Sequence, residues 1–164
     1  LKANERDSHP LLRRLGPEPL SVDFTAAALA ARARGKKVNL KAFLMDQRVV
    51  AGLGNIYADE SLWRARLHPL RTVGTLRVAD ERHLHDAVRG VLFEAVERRG
   101  SSIDDYTAPD GDGSMQERLD VYQRTGEPCR RCGRPVWTAT HGSRQWLRPT
   151  SSCVRIPIAC DRSW

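Results

Sequence analysis

Leu44-Met45-Asp46-Gln47-Arg48-Val49-Val50-Ala51-Gly52-Leu53-Gly54-Asn55-Ile56-Tyr57-Ala58-Asp59-Glu60 is the stretch whose reading decides the rest of the chain. Both of its flanks read as helix, with Leu40, Phe43 and Leu44 at helical spacing before the break and Ile56, Leu62 and Trp63 as core residues after it. The middle resists a helix, because Val49 and Val50 are β-branched and Gly52 and Gly54 are permissive. Asn55 stands at the natural N-cap of the second helix, with acidic Asp59 and Glu60 early in it. A glycine-framed turn feeding a helix start aims backbone amides and a positive dipole end at one place, which suits a phosphate.

Working outward, residues 9–20 are punctuated by Pro10, Pro17 and Pro19 and read as an extended lead-in with a short helical turn. Residues 25–34 are alanine-rich and helical by composition, capped by Thr25 or Asp23 and stopped at Gly35. The first helix of the opening stretch spans residues 38–47, and the second runs from Asn55 to about Arg66, before His68-Pro69. A long amphipathic helix enters at Asp80, with Leu84, Ala87, Val88, Val91, Leu92 and Ala95 on one face, and Gly100 closes it as a C′ residue. Residues 101–113 contain Pro109-Asp110-Gly111-Asp112-Gly113 and read as a long mobile loop of a length that usually carries function. A short segment, residues 115–122, leads to the cysteines. No internal repeat or low-complexity tract is present.

Twenty-seven Lys plus Arg against 20 Asp plus Glu give a net charge of +7 over 164 residues. That balance favours a polyanionic partner, although a basic and otherwise inert soluble domain fits the same count. No apolar run approaches the roughly 20 residues of a membrane span, and no signal-peptide pattern opens the chain. The expected setting is therefore cytoplasmic. The opening Leu1-Lys2-Ala3-Asn4-Glu5-Arg6-Asp7-Ser8 reads as the tail of a linker.

All four cysteines fall in the last quarter, at 129, 132, 153 and 160. Cys129-Arg130-Arg131-Cys132-Gly133 has the form of a zinc knuckle, two thiolates two residues apart with glycine just beyond. Residues 136–140 have strand character, His141-Gly142-Ser143 is turn-like, and Gln145-Trp146-Leu147 is the expected return strand, with Arg144 near the tip. The second half departs from the pattern. Pro149-Thr150-Ser151-Ser152 stands where a second C-x-x-C belongs, and Cys153 and Cys160 are loosely spaced. They either complete a four-cysteine zinc site, with His141 as a substitute ligand, or are ordinary thiols of the tail.

Residues 45–60 followed by His68-Pro69 resemble the helix-two-turn-helix motif of the formamidopyrimidine-DNA glycosylase/endonuclease VIII family, closest to its formamidopyrimidine branch. So do the flanks: His9-Pro10-Leu11-Leu12 with Leu15-Gly16-Pro17-Glu18-Pro19-Leu20, and Val121-Tyr122-Gln123-Arg124-Thr125-Gly126-Glu127-Pro128-Cys129. The resemblance covers about residues 9–146. It implies a mainly α fold: a lead-in (1–20), a helical helix-two-turn-helix domain (21–118) and a small zinc-ribbon-like hairpin region (119–164). Family enzymes flip out an oxidised purine and then cut the abasic strand. The resemblance makes Asn55 the residue that holds the DNA backbone, with Gly52 and Gly54 in the same turn. Lys41 becomes a basic residue facing the same phosphates, and Arg144 the hairpin arginine that grips phosphate. Residues 110–115 match the loop that covers the flipped base.

The family nucleophile is an N-terminal proline amine that forms a Schiff base, on a β-rich domain ahead of this region. Here Leu1 and Lys2 open the sequence, and Pro10 is no substitute because its nitrogen lies in a peptide bond. The pattern breaks after about Arg144 in the manner of a shifted reading frame, which translation of the coding DNA in its other two frames would reveal. The leading expectation is thus a monomeric, nucleoid-associated, DNA-binding part of a repair glycosylase that grips damaged or abasic double-stranded DNA without doing the chemistry alone. One rival is an active glycosylase/lyase that uses another amine, and borohydride trapping on abasic DNA separates the two. The other is a decayed duplicate or interaction protein, which would bind no duplex at low salt.

Overall fold

The computed structural model describes residues 13–101, 113–139 and 150–152. Its helices are α1 (Ala26–Ala33), α2 (Leu40–Met45), α3 (Asn55–Arg64) and α4 (Val78–Glu97). Short 3-10 turns at Val73–Thr75 and Met115–Arg118 and an antiparallel pair, β1 (Trp137–Ala139) with β2 (Thr150–Ser152), complete the described elements. The described residues are mainly helical, as expected.

Caps set the helix limits. Thr25 Oγ1 accepts the Ala28 N–H at 3.1 Å and starts α1, and Gly35, at φ 70°, turns the chain beyond its end. The next helix is shorter than residues 38–47, because Asn39 Oδ1 accepts the Ala42 N–H at 2.8 Å and claims the N-cap. For α4 the start lies two residues before Asp80. Arg77 is its N-cap, and the Asp80 carboxylate at N3 reaches back to the Arg77 N–H at 3.0 Å. At its far end Arg99 (φ 57°) takes the left-handed position expected of Gly100, which follows at φ 80° and donates to Ala95 O at 2.7 Å.

The segment that could not be helical is core instead. Val49, Val50 and Leu53 are buried together with Leu40, Phe43 and Leu44 of α2, Ala58 and Leu62 of α3, and Leu84 and Val88 of α4. Each such aliphatic side chain contributes about 1.5–3 kcal/mol through burial. Further along, α4 turns Val91 and Ala95 to Met115 and Leu119, while Val121, Cys129 and Val136 form a third cluster against Trp63.

The lead-in is strapped to this core. Gly16 N–H donates to Gln47 O at 2.8 Å, and Pro17 O accepts the Ala51 N–H at 3.1 Å. A Cβ on Gly16 would stand 2.6 Å from Val49 O, so only glycine permits the approach. Arg89 of α4 donates to both Pro19 O and Ser21 O at 3.0 Å, and the His85 ring stacks on Phe24.

Among the described residues the partner of β1 is Thr150–Ser152, in register Trp137↔Ser152; the expected return strand, residues 145–147, lies outside the described residues. Met115, which the resemblance puts at the end of the loop that covers a flipped base, is fully buried against Val91 and Ala95 of α4, and Ser114 pairs with Ser101 across the base of the 101–113 loop. Residues 102–112 lie outside the described residues.

Candidate nucleic-acid interface

The opening turn begins with Asp46, whose carbonyl accepts the Val49 N–H at 2.7 Å and whose carboxylate grips the Arg48 guanidinium at 2.8 and 2.9 Å. That bond from Arg48 holds the Asp46 carboxyl below its ordinary range. The turn then passes through Gly52 at φ 77°, a conformation that side-chain-bearing residues rarely adopt. Around Gly52 and Gly54 the space in front of the backbone is open, with no heavy atom within 4 Å of the position a Cβ would take.

Helix α3 starts one residue earlier than the sequence suggests. Gly54 is the N-cap and makes no side-chain capping bond, so Asn55 is the first helical residue. Asn55 is half-buried, and its Oδ1 is sequestered without a hydrogen-bond partner among the described residues. Its Nδ2 is the end of the amide left to face outward. The backbone N–H groups of Gly54, Asn55 and Ile56 also make no hydrogen bond among the described residues. The turn through Gly52 thus leads into the free donors of Gly54, Asn55 and Ile56, which stand at the positive end of a ten-residue helix, open in front.

Lys41 does not join them. Its side chain is 2% exposed, and its Nζ lies 2.7 Å from Asp59 Oδ1 of α3. The six-residue α2 buries Leu40, Lys41, Phe43 and Leu44 alike, so the lysine points into the α2–α3 interface and meets its counterion there. Lys41 is therefore not a solvated surface lysine, and in the chain without DNA its amine is engaged by Asp59. Asp59 and Glu60 are likewise structural, and neither lies in the first turn of α3.

Glu60 is the largest surprise of the motif. Its buried carboxylate accepts three successive backbone N–H groups, those of Asp120, Val121 and Tyr122, at 2.8, 2.9 and 2.9 Å. Burial pushes the Glu60 carboxyl up, the three amides oppose the shift, and the Asp120 carboxylate adds to it. Nothing local in the sequence marks a partner sixty residues away. Tyr57 is a second unforeseen link: its hydroxyl lies 3.4 Å from Ser101 Oγ, beside the base of the loop.

The knuckle is formed and docked. Cys129 N–H donates to Arg134 O at 2.7 Å, Gly133 N–H to Cys129 O at 2.8 Å, and the Arg131 N–H to Cys129 Sγ at 3.4 Å. Gly133 takes φ 71°. Two cysteines two residues apart, one with an amide aimed at its sulfur and glycine closing the turn, match the first half of a zinc donor set. Arg131 lies 4.0 Å over the Trp63 ring and donates to Trp63 O at 2.8 Å, clamping the knuckle to α3. Among the described residues no three ligating side chains gather. Cys153, Cys160, His141 and Arg144 lie outside the described residues.

The family model of the formamidopyrimidine-DNA glycosylase H2TH domain matches residues 15–107. The chain is 50% identical over 141 residues to the formamidopyrimidine-DNA glycosylase of Syntrophotalea carbinolica, covering 84% of this chain and 51% of that protein. It is 49% identical over 138 residues to the one from Xanthomonas euvesicatoria pv. vesicatoria, with the same coverage of 84% and 51%. Among solved structures, the MutM (Fpg) protein from Thermus thermophilus superimposes with a TM-score of 0.81 at 47% identity, over 89% of this chain and 55% of that one. The Lactococcus lactis Fpg in complex with abasic-site-containing DNA gives 0.82 at 35% identity, over 93% and 55%. The chain therefore spans about half the length of the curated relatives it matches.

Proposed function

Because the chain belongs to the formamidopyrimidine-DNA glycosylase family, we propose that it is the part of a base-excision-repair glycosylase that grips damaged or abasic duplex DNA. The carrying observation is Asn55, whose Oδ1 is sequestered and unpartnered among the described residues, at the head of a helix whose first amides make no hydrogen bond among them. A phosphate oxygen accepts hydrogen bonds only, so the donors it needs are Asn55 Nδ2 and the neighbouring amides, framed by Gly52 and Gly54. Arg144, twelve residues after Cys132, is assigned a second phosphate of the same duplex. Residues 21–118 form the gripping unit, residues 1–20 the lead-in and residues 119–164 the hairpin region that carries Arg144. The reading gives these residues a grip and assigns none of them the chemical step.

Asn55→Ala is expected to weaken binding to an abasic-site duplex by about 1–3 kcal/mol, the scale of a lost charge-assisted hydrogen bond. Fluorescence anisotropy at several salt concentrations measures it. An affinity unchanged across the titration removes Asn55 from the phosphate contacts.

Zinc is assigned to Cys129 and Cys132, completed by Cys153 and Cys160. When bound, the metal would tie the two ends of the hairpin together and so hold Arg144 in place. Removing it with a chelator is expected to weaken DNA binding while leaving helical circular dichroism unchanged, because Arg131–Trp63 and Glu60 hold residues 120–132 without it. A purified chain with no zinc by elemental analysis would overturn the assignment.

A further inference from the structure

One side chain of the turn is exposed yet fully engaged. Gln47 Oε1 accepts the Gly52 N–H at 2.7 Å, and Gln47 Nε2 donates to Leu53 O at 3.1 Å. The Gln47 carbonyl, meanwhile, receives the Gly16 N–H of the lead-in at 2.8 Å. The two ends of one amide therefore bracket Gly52 and Leu53, holding the N–H of the Ala51–Gly52 peptide and the carbonyl of the Leu53–Gly54 peptide, the same peptide unit that carries the free Gly54 N–H. Gly52 is the most permissive residue of the turn, and without this brace its left-handed conformation would be one among many. The exposed glutamine contributes little apolar burial, so its bonds serve the orientation of the turn more than the stability of the core.

We propose that Gln47 is a positioning residue for the phosphate grip. It fixes the peptides on either side of Gly52 and Leu53, and with them the Leu53–Gly54 unit, so that the Gly54 and Asn55 amides and the Asn55 side chain converge on one anion. The proposal rests on the phosphate reading of Asn55 given above. Its own content is that Gln47 acts through those donors and touches no DNA itself. A glutamine contacting DNA directly would act independently of Asn55, whereas one that aims Asn55 must be coupled to it.

The test is a double-mutant cycle on the full chain with an abasic-site duplex, using Gln47→Leu, Asn55→Ala and the pair, with a thermal melt for each. Gln47→Leu is expected to weaken binding about tenfold alone but only about twofold to threefold in the Asn55→Ala background. Losses that multiply, or a Gln47→Leu chain that binds as the unaltered one does, overturn the proposal. If Asn55→Ala alone changes nothing, the phosphate reading itself falls. If Asn55→Ala weakens binding while Gln47→Leu does not, only the role of Gln47 falls. Amide exchange in the unaltered chain decides the matter should Gln47→Leu fail to fold. The exposed Gly52 N–H is expected to be protected, and exchange at the rate of an unstructured peptide rules out the brace.

Discussion

Glu60→Ala is expected to lower the unfolding free energy by about 2–4 kcal/mol, because it strips the acceptor from three amides at once. Val121 is fully buried, so its N–H has no water to turn to, while Asp120 and Tyr122 are only partly covered and recover some of the loss. Urea denaturation of both chains measures the difference. The pH dependence supplies a sharper signature. Burial raises the Glu60 carboxyl above its ordinary 4.5 in the folded chain, so the folded state binds this proton more tightly than the unfolded one. The contribution is therefore fully present below the ordinary glutamate range and declines as pH rises from there through the folded value. Glu60→Gln has no such group. The stability of the unaltered chain relative to Glu60→Gln should fall as pH rises from about 4.5 and level off above the folded pKa. A difference that instead rises with pH below about 4.5 and is flat above it would mean that the three amides outweigh burial and hold the carboxyl down.

Glu60 also shows where sequence reading stops. The turn, the helices and the cap at Thr25 are legible because each depends on residues within a few positions of one another, and so is the buried face of α4 through Leu84, Val88, Val91 and Ala95. Asn55 is displaced by one position, since glycine can serve as an N-cap without a side chain and local propensity does not separate the two. The expectation of an anion site comes from the glycine-framed turn and the helix start, and the resemblance adds DNA as its partner; among the described residues the first amides of α3 and the Asn55 Oδ1 have no partner. What stays hidden depends on distant residues: Glu60 with residues 120–122, Arg131 with Trp63, and β1 with β2 across ten intervening residues. Gln47 is hidden differently. Its partners are near in sequence, but a glutamine in a turn has too many rotamers for spacing alone to predict which amide it braces.

Lys41→Met is expected to cost about 3–5 kcal/mol, since breaking a buried ion pair from one side leaves the other charge uncompensated. The abandoned group is Asp59, whose side chain has no exposure. Adding Asp59→Asn removes that charge at nearly constant volume and should return a good part of the lost stability, and denaturant midpoints of the single and double variants decide it. The pair escapes sequence reading because a lysine among Leu40, Phe43 and Leu44 at the start of a short helix has the same signature whether its amine reaches solvent or a carboxylate on the next helix. The double variant also settles function independently of folding. An ammonium buried against Asp59 releases no counterion when DNA binds, so at a temperature where both chains are folded the double variant should match the unaltered chain in affinity and in salt dependence. A uniform loss of affinity with a salt slope smaller by about 0.9 would instead show that Lys41 leaves Asp59 for a phosphate when DNA arrives. The ion pair would then be a latch between α2 and α3 that opens on binding.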